Sequence, residues 1–345
     1  FSTQRLFTSG DYAYSSGSTI PEEGKPGNAN LVIFDISDPA KPTLLEERDM
    51  QSTQFLAQSG TNLVGFKPGF DPVDNSFEDA EIQVYSVSDP ANPTLIKTIS
   101  LPATHGAEIF NAEFLESGLL YVTMETHTTD QTEAGVGTLL VDISANAGNE
   151  IELEIDPTCH AAVQKGSMFY CFSTQDYGSL DAITYDLNGT DGTEEISIVA
   201  SIGTTLPKQA VVLPNGEVVM ADLYRGLRTF ETSGIGGEIV SERTSAIESE
   251  SASAILLYSG SKAVVGIDGA TTVLDLVTGN VTGTSAYSAG GLSTTSQPGI
   301  YASAMGNDGF LLFKITASGT FQKVGGYFHK WNTDLFEQEQ SEGNY

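Results

Sequence analysis

Along this chain, short apolar runs return at near-regular intervals, each closing on a large apolar residue, a polar residue, a second apolar residue and a turn. The seven copies are Phe34-Asp35-Ile36-Ser37, Tyr85-Ser86-Val87-Ser88, Val141-Asp142-Ile143-Ser144, Tyr185-Asp186-Leu187-Asn188, Phe230-Glu231-Thr232-Ser233, Leu274-Asp275-Leu276-Val277 and Phe313-Lys314-Ile315-Thr316. Their spacings of about 51, 56, 44, 45, 44 and 39 residues suit one four-stranded unit per copy. A hairpin with a Gly or Asn turn precedes each copy, as at Leu115-Glu-Ser-Gly or Pro214-Asn-Gly, and an outer strand such as Thr94-Leu-Ile-Lys-Thr-Ile follows. The pattern predicts an all-β chain folded as a single seven-bladed β-propeller of four-stranded antiparallel blades.

The blades fall at about 1–50, 51–101, 102–156, 157–203, 204–247, 248–289 and 290–327, leaving 328–345 as a C-terminal tail. All start in the same phase, inner strand first, so no strand is left to complete another blade across the ring closure. The tail, with the only tryptophan, Trp331, either covers the junction of blades seven and one or links to a further module.

The first two copies continue as Ser37-Asp-Pro-Ala-Lys-Pro-Thr-Leu-Leu and Ser88-Asp-Pro-Ala-Asn-Pro-Thr-Leu-Ile, where the prolines end one strand and pre-set the turn to the next. These stretches resemble the LVIVD-repeat β-propeller family. Leu31-Val-Ile-Phe-Asp-Ile, Asp11-Tyr-Ala-Tyr and Gly226-Leu-Arg-Thr-Phe fit its other hallmarks. The resemblance implies a propeller on a bacterial, archaeal or algal cell surface and supplies no catalytic residues.

Composition narrows the partners. With 15 Lys and Arg against 45 Asp and Glu, the formal charge is −30, which repels nucleic acid and anionic membranes and reads as tolerance of a salty medium. No apolar run approaches a membrane span, so membrane insertion is not expected. The chain begins at Phe1, which suggests that a leader has been removed. Cys159 and Cys171 are numbered symmetrically about a turn at Lys165-Gly-Ser, which predicts directly opposed positions on paired strands and a disulfide. An oxidising compartment, extracellular or cell-surface, follows.

Candidate sites gather on one sector. The connections between second and third strands are long in blades one to four (Ser15 to Asn30, Lys67 to Glu81, Glu125 to Gly137, Thr174 to Ala182) and tight in blades five to seven. Recognition on such loops is expected, and Asp71, Asp74, Glu78, Asp79, Glu125 and His127 are the surface candidates. The oxygen-rich run from Asp71 to Asp79 suggests calcium, and Asp186 to Asp191 offers a fainter loop of the same kind. His105, before the inner strand of blade three, His127, in its long loop, and His160, opening blade four, could hold a transition metal beside Glu108 or Glu125. Gln54, Asn111, His160, Gln209 and Ser253 are expected at one level of the channel mouth, where a polar ring could take a sugar or small polar ligand. Asn188 and Asn280 head glycosylation sequons.

These features favour a non-enzymatic extracellular or cell-surface propeller. It would present protein or glycan partners with the loop face of blades one to four, as an adhesion module or in an assembly with its own copies or other surface proteins. No catalytic residue is assigned, and a metal-dependent enzyme near blades three and four is the alternative.

Overall fold

A computed structural model of the chain describes residues 5–16, 31–50, 54–67, 70–71, 76–77, 79–105, 107–127, 134–155, 158–174, 180–188, 195–201, 205–243, 245–287, 289–295, 297–305 and 309–328. They form seven four-stranded antiparallel sheets, each running from inner to outer strand in chain order, and no helix. The inner strands are Arg5–Ser9, Gln54–Ser59, Ala107–Phe114, Ala161–Lys165, Pro207–Val212, Ala252–Ser259 and Gly291–Thr294. Blade two carries an additional small hairpin, Phe70–Asp71 with Ser76–Phe77, between its second and third strands.

The third strand of blade one, Leu31–Asp35, is apolar without alternation because the blade is covered on both sides by its neighbours. In blade one, Leu31 and Ile33 pack toward blade two, while Val32 and Phe34 pack toward blade seven. Seven apolar clusters result, one at each contact between adjacent blades. The core is thus a ring of interfaces, and full burial of a Leu, Ile or Phe in it contributes about 1.5–3 kcal/mol.

Ring closure among the described residues uses packing rather than a shared strand, since blade one takes all its strands from Arg5–Arg48 and blade seven from Gly291–Phe328. Phe34 meets Phe310 and Tyr327 at 4.9 and 4.8 Å between ring centroids. Thr8 donates its hydroxyl to the Thr294 carbonyl, and Gln297 donates its amide to the Ile36 carbonyl. Gly325 lies so near blade one that a Cβ there would stand 2.0 Å from the Pro39 oxygen. The tail from 329 lies outside the described residues, as does its expected role at this junction.

The repeat motifs act between blades. The Tyr14 hydroxyl donates to the Pro90 carbonyl of the blade-two turn at 3.0 Å, and Tyr170 donates likewise to Gly237 of blade five at 2.8 Å. Burial raises the Tyr14 phenol well above its ordinary pKa and lifts that of Tyr170 to about 12, so both stay donors. Arg48 reaches the Ala91 carbonyl and Asn92, and Lys97 reaches the Ile143 and Ala145 carbonyls with Glu150 alongside. The Asp-Pro-Ala-x-Pro turn of blade two therefore receives two side chains from blade one.

The outer strands carry a common irregularity. Each shifts register against its third strand near its start: at Leu45, Ile96, Glu152, Val240, Thr282 and Val324, and over 196–197 in blade four. An extra residue twists an exposed edge and interrupts its row of hydrogen-bonding groups, which opposes edge-to-edge pairing with other chains.

In blade five, the Gly226-Leu-Arg motif builds a buried ionic cluster. Arg228 binds Glu242 through two 2.7 Å contacts and extends Nη1 to Asp222 and Thr205. The fully buried Asp222 carboxylate also accepts the Leu206 and Tyr224 N–H groups and the Thr205 hydroxyl. Gly226 needs its φ of +71°, and a Cβ there would meet the Ser249 carbonyl oxygen at 2.2 Å.

Candidate functional site

The seven inner strands enclose a central channel of about 920 Å³, lined from every blade by residues that include Phe7, Gln58, Asn111, His160, Lys208, Gln209, Ser253 and Thr294. Several of its polar side chains bridge neighbouring blades. Asn111 donates to the Tyr121 hydroxyl at 2.8 Å and to the His160 carbonyl at 3.0 Å. Gln209 accepts the Ile255 N–H, Ser253 donates to the Ala289 carbonyl, and Gln58 donates to the carbonyls of Thr8 and Gly60. Gln164 repeats the Gln58 arrangement in blade four, accepting Ser117 N–H and donating to Gly166. Inner-strand edges have no β partner on the channel side, and these amides satisfy part of that backbone.

The expected polar ring is split by register. Asn111 and Gln209 share one rung, opposite Thr123 and Ala221, each five residues past its turn glycine. Gln54 pairs one rung nearer the mouth with Phe66, and Ser253 occupies a bulge farther out. Gln58, near the other end of its strand, lines the cavity instead of Gln54. Inner-strand bulges, which periodicity does not reveal, produce the offset.

The half-buried His160 ring accepts the Thr174 N–H at Nδ1, 3.3 Å, with the Thr174 hydroxyl at 3.2 Å. Burial lowers its pKa, helped by the nearby Lys208 ammonium, so the neutral imidazole is favoured. His105 ends the outer strand of blade two, paired with Asp79, just before the inner strand of blade three at Ala107–Phe114. His127 ends the second strand of blade three, paired with Ala134, and Glu125 pairs with both Glu108 and Val136. The expected Glu125–Gly137 loop is therefore an extended ladder, with only 128–133 beyond it. No group of three His, Cys, Asp or Glu side chains able to hold a metal occurs among the described residues, a set that excludes the His105 and His127 side chains.

Asp71 and Asp79 lie on strands, whereas Asp74 and Glu78 fall outside the described residues, as does most of the second calcium candidate beyond Asn188. Asn188 and Asn280 are both exposed at turns. Cys159 and Cys171 form a buried disulfide, with Cα atoms 5.1 Å apart. Their expected opposition is corrected by the ladder, which turns at Gly166-Ser167 and places Ala162 opposite Cys171. Cys159 reaches the bond from the irregular segment before the strand, where Thr138 accepts its N–H and the Thr123 hydroxyl donates to its carbonyl. The bridge thus ties the lead into blade four to that blade's own second strand, while the two threonine contacts hold it against blade three.

Sequence reasoning did not identify Gln58, Gln164, Lys208, or the Asp222–Arg228–Glu242 cluster as a unit, although it did single out Gln209. The glutamines had a signal: Gln58 and Gln164 each stand two residues before a hairpin glycine.

Residues 26–49 match the LVIVD repeat, so the ring carries such a repeat in its first blade. No curated protein matches the chain. Among solved structures, Sqt1 from Chaetomium thermophilum aligns with a TM-score of 0.52 at 15% identity, covering 93% of this chain and 80% of that one. The Cps50 (Swd1) β-propeller domain of Myceliophthora thermophila aligns with a TM-score of 0.55 at 12% identity, covering 91% and 97%. A puromycin hydrolase aligns at 0.57 and 12% identity over 94% of this chain, which spans about half (53%) of that enzyme. Identities this low establish the shared propeller fold alone.

Proposed function

We propose that this LVIVD-repeat propeller is a non-enzymatic binding or structural module, extracellular or on a cell surface, that engages protein or glycan partners through the loop face of blades one to four. The observation that carries this reading is the uneven length of the connections between second and third strands. They occupy 17–30 in blade one, 68–78 with its own hairpin in blade two, and a ladder extended to His127 in blade three. In blade four the expected long connection shrinks to 175–179, close to the 305–308 of blade seven, and blades five and six connect through 223–225 and 268–269. Lengthened loops on a scaffold fixed by seven interfaces suit recognition. The disulfide supports an oxidising location, and no described helix is long and apolar enough to cross a membrane.

The test is affinity capture from envelope and culture-medium fractions of the source cells, comparing the intact chain with variants shortened within 68–78 and within 128–133. Partners should be retained by the intact chain and lost from the shortened variants, which keep the wild-type melting temperature. Undiminished capture by both shortened variants would refute the loop-face reading.

A further inference from the structure

The plain sector also carries a preformed concavity. On the same face, at the junction of blades five and six, Leu223, Tyr224, Arg225, Ser249, Glu250, Ser251 and Asp268 surround a depression of about 790 Å³. Tyr224 is 55% exposed and is the one aromatic among the exposed large hydrophobic residues of the described chain. An exposed tyrosine lining the same depression as two carboxylates matches the composition of binding hot spots.

Three segments lock the depression in place. Asp222 fixes the Tyr224 N–H at 2.9 Å, and Ser249 accepts the Leu227 N–H at 3.0 Å behind Gly226. Asp268 adopts φ +48° and accepts the N–H groups of both Glu250 and Ser251 through one carboxylate oxygen at 2.9 Å. Tyr224, Arg225, Glu250 and Asp268 are all exposed around this fixed framework. A ring, two carboxylates against one guanidinium, and a chain of charge −30 together favour a cation over an anion or a neutral group.

We propose that this concavity docks a basic side chain, lysine or arginine, of a protein partner, with its cationic head over the Tyr224 ring and facing Glu250 and Asp268. The site is separate from the loops of blades one to four and does not depend on the role proposed for them.

The test titrates Nα-acetyl-lysine methylamide and its arginine counterpart into the isotopically labelled full chain at moderate salt, with Nα,Nε-diacetyl-lysine methylamide as the uncharged control. Amide shifts should concentrate at Tyr224, Arg225, Ser251 and Asp268, and the control should leave them in place. Tyr224→Ala should weaken binding roughly two- to fivefold, as loss of a solvent-exposed cation–π contact requires, while Tyr224→Phe retains it. Asp268→Asn and Glu250→Gln should weaken it further, with unchanged melting temperature for the Tyr224 and Glu250 variants. Shifts scattered over acidic surfaces generally, an undiminished Tyr224→Ala variant, or equal binding of the uncharged control would each overturn the proposal.

Discussion

The buried cluster of blade five makes an asymmetric prediction: removing its anion should cost more than removing its cation. Replacing Asp222 with Ala strands the Leu206 and Tyr224 N–H groups, the Thr205 hydroxyl and one face of a guanidinium that is only 7% exposed. Breaking a buried pair by deleting one partner costs about 3–5 kcal/mol, and each buried donor left without an acceptor adds about 1–3 kcal/mol unless water enters. Asp222→Ala should therefore fall at the upper end of 3–5 kcal/mol or beyond. Arg228→Met leaves Asp222 with its three other donors, and Glu242, 28% exposed, can rehydrate. Methionine also preserves most of the apolar stem over Phe230, whose ring centroid lies 5.7 Å from the guanidinium carbon. The expected loss is about 1–3 kcal/mol, that of a charge-assisted hydrogen bond. Urea unfolding followed by circular dichroism, with linear extrapolation, measures both. The double variant should be less destabilised than the sum of the two, because the guanidinium face left without its acceptor by the first change is absent after the second. An Arg228→Met cost equal to or above that of Asp222→Ala would refute this reasoning.

Ring closure should be sensitive to a single methyl group. Gly325→Ala drives a Cβ onto the Pro39 oxygen and should cost about 1–3 kcal/mol, measured calorimetrically, more than Gly290→Ala, whose added Cβ would meet nothing nearer than the Ala304 oxygen at 3.3 Å. Equal costs would mean that blade seven adjusts freely. The Cys159–Cys171 bridge closes a short loop of sequence separation 12, so replacing both cysteines with serine should remove about 3 kcal/mol. At a typical unfolding entropy for this chain length, that lowers the melting temperature by about 4 °C, and no shift would show that the lead into blade four holds without the bond. Because burial depresses the His160 pKa below its unfolded value near 6.5, its contribution to stability is present above that value and lost as pH falls through it. His160→Gln should reduce the drop in urea midpoint between pH 7.5 and 5.5, whereas parallel curves for variant and parent would contradict the assigned burial.

The sequence by itself determined the number and class of the blades, because each blade had to return a buried third strand, closed by the same turn pattern, between two neighbours. Leu31–Phe34 announces a doubly covered strand before any coordinates exist. The proximity of Cys159 and Cys171 was also legible, since twelve residues and one turn hold them near each other. The sequence likewise exposed the long connections of blades one to three, although part of the blade-three insertion proved to be strand and the blade-four connection proved nearly as short as that of blade seven.

Only the tertiary structure decided which side chains bind blade to blade. Tyr14 and Pro90 lie 76 residues apart, and Gln297 and Ile36 lie 261 apart; their meetings follow from closing the ring, not from any local pattern. Bulges decided which residues share a level, separating Gln54 and Ser253 from Asn111 and Gln209 and placing Ile96 and Val240 at irregular positions of their outer strands. The physical division is one of range. Burial on two faces imprints itself on consecutive residues, whereas a hydrogen bond across a blade interface depends on register and curvature summed over every strand between its partners.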